Sequence, residues 1–248
     1  MRRKLLAPSL ETSLDVHGEQ FQKNKSDILE QLEEIEEFLD EAEAGGGSET
    51  TQRHRSKGKM PIRERIANVL DPDSPFLEIS PLAAANSDYT VGGGFVVGIG
   101  VIANTECVIL GNDPTVQAGA MTPYVVKKWM RALEIARDNH MPYVSFVESA
   151  GADLNIAAGS GKSNKSRAQV SHFAESGRFF YEMIELSKMG IPPICVVFGT
   201  ATAGGAYQPG VSDYNIFIRE QSKVALGGPP LVKMATGEES DDETLGGG

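Results

Sequence analysis

The spacing of apolar residues along this chain shifts between helical and strand periods, and the shifts divide it into elements. From Ser26 to Ala44 the residues Ile28, Leu29, Leu32, Ile35, Phe38 and Leu39 fall on one helical face, with Ser26 and Asp27 placed to cap its start. Gly45-Gly46-Gly47-Ser48 breaks that pattern, and polar residues continue to Lys59. Residues 1–56 therefore read as an N-terminal helix and linker, and 57–248 as the main domain. From Phe76 the pattern becomes short strands. Phe95–Ile102 and Cys107–Leu110 form a hairpin by composition, joined by Ala103-Asn104-Thr105-Glu106. Thr122-Pro123 predicts a helix start that runs to about Asn139. A strand at Tyr143–Val147, a helix at about Ala168–Met189 and a strand from Ile194 follow, then short strands at Asn215–Ile218 and Lys223–Leu226. Strand–helix–strand crossovers of this kind predict an α/β fold with a partly parallel sheet and helices outside it.

Composition narrows the partners. The net charge of -11 disfavours nucleic acid and anionic membrane surfaces. The charge is uneven, with ten acidic and no basic residues from Asp27 to Glu49 and a basic stretch from Arg53 to Arg65, so an anionic small molecule stays open. Cys107 and Cys195 each sit in an apolar run and read as small buried hydrophobes. Neither the cysteines nor the scattered histidines have zinc-site spacing, so no metal is expected. The start MRRKLLAPSLETSL has too short an apolar run for a signal peptide, and no stretch approaches the roughly 20 apolar residues of a membrane span. The expected place is the cytoplasm, or the mitochondrial matrix in a eukaryote, without a membrane partner.

Gly98-Ile99-Gly100-Val101-Ile102-Ala103 matches the GxGxxA dinucleotide fingerprint. That fingerprint has to follow a strand and open a helix, whereas these glycines lie inside a predicted strand with another strand behind it. Two other small-residue stretches carry more chemistry. Ser149-Ala150-Gly151-Ala152-Asp153 and Thr202-Ala203-Gly204-Gly205-Ala206-Tyr207 each end a predicted strand, where ligands sit in folds of this class. Backbone N–H groups on both could converge on one oxygen. Glycine allows that approach because it has no Cβ, and a helix opening at Gly204-Gly205 would favour negative charge there. Close helix–strand packing is the competing reading of the same glycines.

Five blocks in order carry a resemblance: KGKMPIRERIANVLDPDSPFLEI (57–79), GNDPTVQAGAMTPYVVKKWMRALEIA (111–136), VESAGADL (147–154), MGIPPICVVFGTATAGGAYQPGVSDYNI (189–216) and LGGPPLVKMATGEE (226–239). The loop pair resembles the oxyanion loops of the crotonase superfamily. The whole run resembles the carboxyltransferase β subunits of biotin-dependent acyl-CoA carboxylases, of the methylcrotonyl-CoA and propionyl-CoA branch.

The resemblance implies a crotonase-type spiral fold and a reaction at a thioester enolate, with biotin carried by a partner's carrier domain. It assigns Gly204 and Gly205 to the thioester oxygen and Ala150, Gly151 and Ala152 to the substrate loop beside it. Tyr207 reads either as acyl-pocket lining or as packing. Lys127 and Lys128 are candidates for the CoA phosphates, although exposed helix lysines are ordinarily just solvated. Glu148 and Asp153 look like an acid/base pair, which the family chemistry does not require. The family β subunit is about twice as long and forms hexamers, so a second carboxyltransferase domain and a biotin carboxylase/carrier (α) subunit are expected partners. This chain then reads as a fragment, or as one half completed by another polypeptide. The stretch 155–180 departs from the family pattern and leaves the acyl preference open. A different crotonase-type enzyme (a hydratase or a biotin-dependent decarboxylase) and a non-catalytic assembly subunit are the alternatives.

Overall fold

The structure, a computed structural model, describes residues 12–152 and 165–248, with 165–176 as backbone only. Two compact units divide at Phe38/Leu39. The first contains most of helix α1 (Glu19–Ala44), which starts about two turns earlier than the capping pattern suggests. On it Ile28, Leu29, Leu32 and Ile35 are exposed.

The second unit takes in the end of α1 and continues with α2 (Gly47–Ser56), where the sequence reads as linker. This stretch has little helix-forming side-chain pattern, and non-local contacts hold it. Gly46 N–H donates to Thr115 Oγ1 at 3.0 Å, the Thr50 hydroxyl donates to Gly46 O, and His54 is buried. Helix α3 (Ile62–Val69) follows, then β1 (Leu77–Glu78), β2 (Phe95–Ile102), β3 (Thr105–Asn112), α4 (Pro123–Asn139), β4 (Tyr143–Ser149), α5 (Lys165–Lys188) and β5 (Pro193–Thr202). The chain continues through a four-residue helical turn α6 (Tyr207–Gly210), β6 (Tyr214–Phe217), β7 (Lys223–Ala225), α7 (Pro229–Thr236) and α8 (Asp242–Gly246).

The strands form one seven-stranded sheet ordered β1-β2-β3-β4-β5-β6, with β7 also on β5. The β1–β2 and β2–β3 pairs are antiparallel; β3–β4, β4–β5, β5–β6 and β5–β7 are parallel. The hairpin is tighter than expected. Ala103 and Asn104 alone make the turn, both at positive φ (50° and 60°), and Asp71 accepts both of their amides at 2.7 Å. Gly98 and Gly100 lie inside β2, and any Cβ there would strike the Phe76 ring or Leu70. They admit packing partners rather than a pyrophosphate.

Strand alternation splits the core by face. Phe95, Val97, Val108 and Leu110 point to the layer formed by α4 and α5, where Trp129 stacks on Phe179 with ring centroids 4.0 Å apart. Val96, Cys107, Ile109 and Phe146 point the other way, onto Ile62 and Ile66 of α3. Trp129 Nε1 donates to the Tyr143 hydroxyl, so the polar ends of both buried rings are satisfied. Thr122 caps α4 as predicted, its hydroxyl accepting from Val125 N–H, and His140 closes it in the left-handed region. Both cysteines are buried, and burial pushes the Cys195 thiol up to about 12.

Candidate functional site

Parallel strands β3, β4 and β5 end on the same side of the sheet, so the segments that leave them meet there. After β3 the backbone makes a left-handed turn, with Gln117, Ala118 and Gly119 at φ 47°, 54° and 69°. Two such non-glycine residues are costly, and the surrounding bonds hold them in place. Gly119 O accepts from the Ser149 hydroxyl at 2.8 Å and from Asn112 Nδ2 at 3.2 Å, while Ala118 O accepts from Ala150 N–H at 3.1 Å. Met121 N–H donates to Gly151 O at 2.8 Å, forming a bridge in which Met121 pairs with Ala152.

The β4 loop in turn lies on the end of β5. Gly151 has φ +88°, and a Cβ there would sit 3.0 Å from Thr202 O. On the β5 side, Ala203 takes φ 51°, and residues 203–206 form a single tight helical turn leading into α6. Gly205 backs onto Ser149, with an ideal Cβ 3.0 Å from Ser149 Cβ, whereas among the described residues the only side chain over Gly204 is Met121. Segments 117–121, 149–152 and 202–207 are thus packed against one another, and the two sequence-predicted loops are neighbours.

The predicted residues do not all have equal access. The N–H groups of Ala150 and Gly151 are engaged within the protein, with Ala118 O and the Ser149 hydroxyl, so these residues shape the loop. Ala152 is exposed. Gly204 and Gly205 lie in a single short turn that runs into the four-residue α6, so little helix dipole stands behind them. Tyr207 is 46% exposed, with its ring 4.9 Å from Phe180, which in turn contacts Phe179.

The lysine pair splits. Lys127 is on the exposed face of α4, 5.9 Å from the Tyr124 ring. Lys128 turns inward, 4% exposed, donating to Gly92 O at 3.1 Å and to Phe95 O. Burial lowers its ammonium pKa from 10.5 to about 8, with Glu78 opposing the shift. It is a structural cation, so a CoA assignment can rest on Lys127 alone. Glu148 is not free for acid/base work either, because Lys59 Nζ donates to its Oε1. Asp153, the other half of that supposed pair, lies outside the described residues, as do residues 155–164 of the stretch that departs from the family pattern. Sequence reasoning missed the 117–119 turn, the Ser149 hydroxyl and Met121. Only Ala118-Gly119 just ahead of the Thr122 cap hinted at a tight turn there.

Comparison with known proteins shows the family. The family model described as the carboxyl transferase domain matches residues 53–248. A protein of Mycobacterium tuberculosis named as a probable biotin-dependent acyl-coenzyme A carboxylase beta2 subunit is 47% identical over 238 residues, covering 96% of this chain and 43% of that protein. The mitochondrial methylcrotonoyl-CoA carboxylase beta chain of Dictyostelium discoideum is 39% identical over 241 residues, covering 96% of this chain and 40% of its own. Among solved structures, the beta subunit of Pseudomonas aeruginosa geranyl-CoA carboxylase superposes with a TM-score of 0.83 at 37% identity, over 97% of this chain and 43% of that one. The chain therefore spans less than half the length of these relatives. The α/β crotonase-type fold expected from the resemblance is the fold observed. With these loops at the ends of these strands, the chain belongs to the carboxyl transferase domain family.

Proposed function

We propose that this chain forms the acyl-CoA side of a carboxyltransferase that moves a carboxyl group from carboxybiotin to the α- or γ-carbon of a short or branched acyl-CoA. The observation that supports this most is the meeting of loops 149–152 and 202–207 at the ends of parallel strands, with Gly204 and Gly205 presenting backbone without side chains. Removing a proton beside a thioester moves charge onto the thioester oxygen. Backbone donors fixed near that oxygen lower the barrier without having to reorganise, and losing one such donor typically costs about 2.7–4 kcal/mol. In this reading Gly204 and Gly205 supply donors from one side and Ala152 from the other.

Carboxybiotin, carried by a biotin carboxylase/carrier (α) subunit, supplies the carboxyl group and the base. The pairing of Glu148 with Lys59 fits a reaction whose base comes from outside this chain. Met121, Phe180 and Tyr207 would form an apolar wall for the acyl group, and Lys127 would approach a CoA phosphate. A second carboxyltransferase domain and assembly into a homo-oligomer, hexameric as in the family, would complete the enzyme. No described helix is long and apolar enough to cross a membrane. We place the protein in the cytoplasm, or in the mitochondrial matrix of a eukaryotic source.

Calorimetric titration of the folded chain with CoA and acetyl-, propionyl- and 3-methylcrotonyl-CoA tests the reading, with Gly204→Val as control. Binding by the parent and not by the control is expected, and the ranking of the acyl-CoAs identifies the substrate. If the folded chain does not bind, alone or with the second domain supplied, the acyl-CoA assignment is wrong and an assembly role replaces it.

A further inference from the structure

The β4–β5 register slips where the two site loops begin. Val147 pairs with Val197, yet Ser149 pairs with Ala201, so β5 advances four residues while β4 advances two. The slip sets how far loop 149–152 stands from turn 203–206 along the strands. One side chain fills it. Glu148 lies opposite, and its carboxylate occupies the space that a Cβ on Gly199 would need, with Cδ and both carboxylate oxygens crowding that point. Gly199 is the residue that lets the extra length of β5 fold over the acid.

The acid is anchored on the α3 face of the sheet, the face that Phe146 also occupies. Lys59, just ahead of α3, donates to Glu148 Oε1, and the two side chains are only 19% and 12% exposed. Arg65 of α3 lies 4.2 Å from the centroid of the Phe198 ring, inside the same slip; burial lowers its pKa and the charge of Glu148 opposes the shift. His54 of α2 is buried, which lowers its pKa, again with the charge of Glu148 opposing. Glu148 Oε2 and His54 Nε2 are both buried without a hydrogen-bond partner among the described residues. So much buried polarity is an expensive way to fill a strand irregularity that an apolar side chain could fill. The expense is understandable if the carboxylate has a positional task. A paired acid fixes one geometry, whereas an apolar residue would tolerate several.

We infer that Glu148 is a positioning residue. Locked by Lys59 and seated over Gly199, it holds the β4–β5 slip and thereby sets loop 149–152 against the glycine turn 203–206. Its significance for acyl-CoA rests on the function proposed above; its effect on the loop does not.

Two variants perturb the device from opposite sides. Gly199→Ala pushes the carboxylate out of its seat, and Glu148→Gln weakens the grip of Lys59. Hydrogen exchange of the peptide containing residues 149–152 reads the result, because Ala150 and Gly151 N–H are both hydrogen-bonded in the parent. In each variant their exchange should speed by about tenfold, while α4 exchanges as in the parent. Adding Glu148→Asp to Gly199→Ala shortens the acid by one methylene and makes room for the new methyl, so protection should return. Unchanged exchange at 149–152 in both single variants would overturn the inference, as would a loss of protection spread equally over α4. Acyl-CoA titration of the same proteins separates the two readings. An affinity about tenfold weaker in Gly199→Ala, recovered in the double variant, joins the loop position to binding. A parent that binds no acyl-CoA removes the functional reading, while the exchange data still decide what Glu148 does.

Discussion

Gly204→Ala is a sharp test of how the glycine turn is built. The new Cβ would overlap the Met121 methyl, and among the described residues the only other atom near it is Met121 Sδ at 3.9 Å. Of the described side chains, Met121 alone is the obstacle. Met121 is 5% exposed and packs in the cluster with Phe95, Val125 and Trp129, so its methyl has little room to retreat. Overpacking of this kind costs about 1–3 kcal/mol, at the low end because methionine is unbranched and adapts. Met121→Ala alone leaves a cavity and should cost about 2–5 kcal/mol. In the double variant the alanine methyl at 204 enters space that the methionine has left. The summed cost should then fall short of the two single costs by about 1–2 kcal/mol. Urea unfolding followed by fluorescence measures all four corners of the cycle, since Trp129 is the single tryptophan and lies in the affected cluster. Gly205→Ala is the internal contrast. Its neighbours are Ser149 Cβ at 3.0 Å, Oγ at 3.3 Å and the carbonyl at 3.4 Å, none of which Met121→Ala relieves, so that pair should be additive. Additivity of Gly204→Ala with Met121→Ala to within about 0.5 kcal/mol would refute the picture of Met121 closing over the glycine.

Three further outcomes are expected. Lys128 has a folded pKa of about 8 against an ordinary 10.5, so between those values the unfolded chain binds more protons and stability rises with pH. The parent should gain up to about 3 kcal/mol between pH 7.5 and 10.5 relative to Lys128→Met, and parallel urea profiles would contradict the buried ammonium. Gly151→Ala places a side chain at φ +88° and 3.0 Å from Thr202 O; a loss of at least about 1 kcal/mol by urea unfolding, with weaker acyl-CoA binding, is the expected result. Burial raises both thiol pKa values, so Cys107 and Cys195 should resist a thiol reagent at pH 8 until the chain is unfolded; prompt modification of Cys195 in the folded protein would place it wrongly.

The parts of this protein legible in its sequence are those that neighbouring residues decide. Thr122-Pro123 starts α4 because the cap and the proline act within one turn, and β2 and β3 are readable because they are rich in β-branched apolar residues with a short polar link between them. Gly98 and Gly100 could be dismissed as a dinucleotide site because the test, whether a helix follows, is itself local. Loops SAGAD and TAGGAY could be singled out by composition and position after strands. That they touch was a matter for the fold, since Gly151 meets Thr202 only across the parallel β4–β5 pair. Tertiary structure also decided what local pattern could not reach. Residues 47–56 are helical because His54 is buried and Gly46 is tied to Thr115, contacts made by residues distant in the chain. Lys127 and Lys128 are indistinguishable in sequence, yet a rotation of 100° about the helix axis sends one to solvent and the other beneath β2. Glu148 likewise resembled a reacting carboxylate until the fold set it over Gly199 and beside Lys59. Short-range order follows from backbone geometry and the period of apolar side chains, whereas burial and partnership of a charged group depend on segments that only folding brings together.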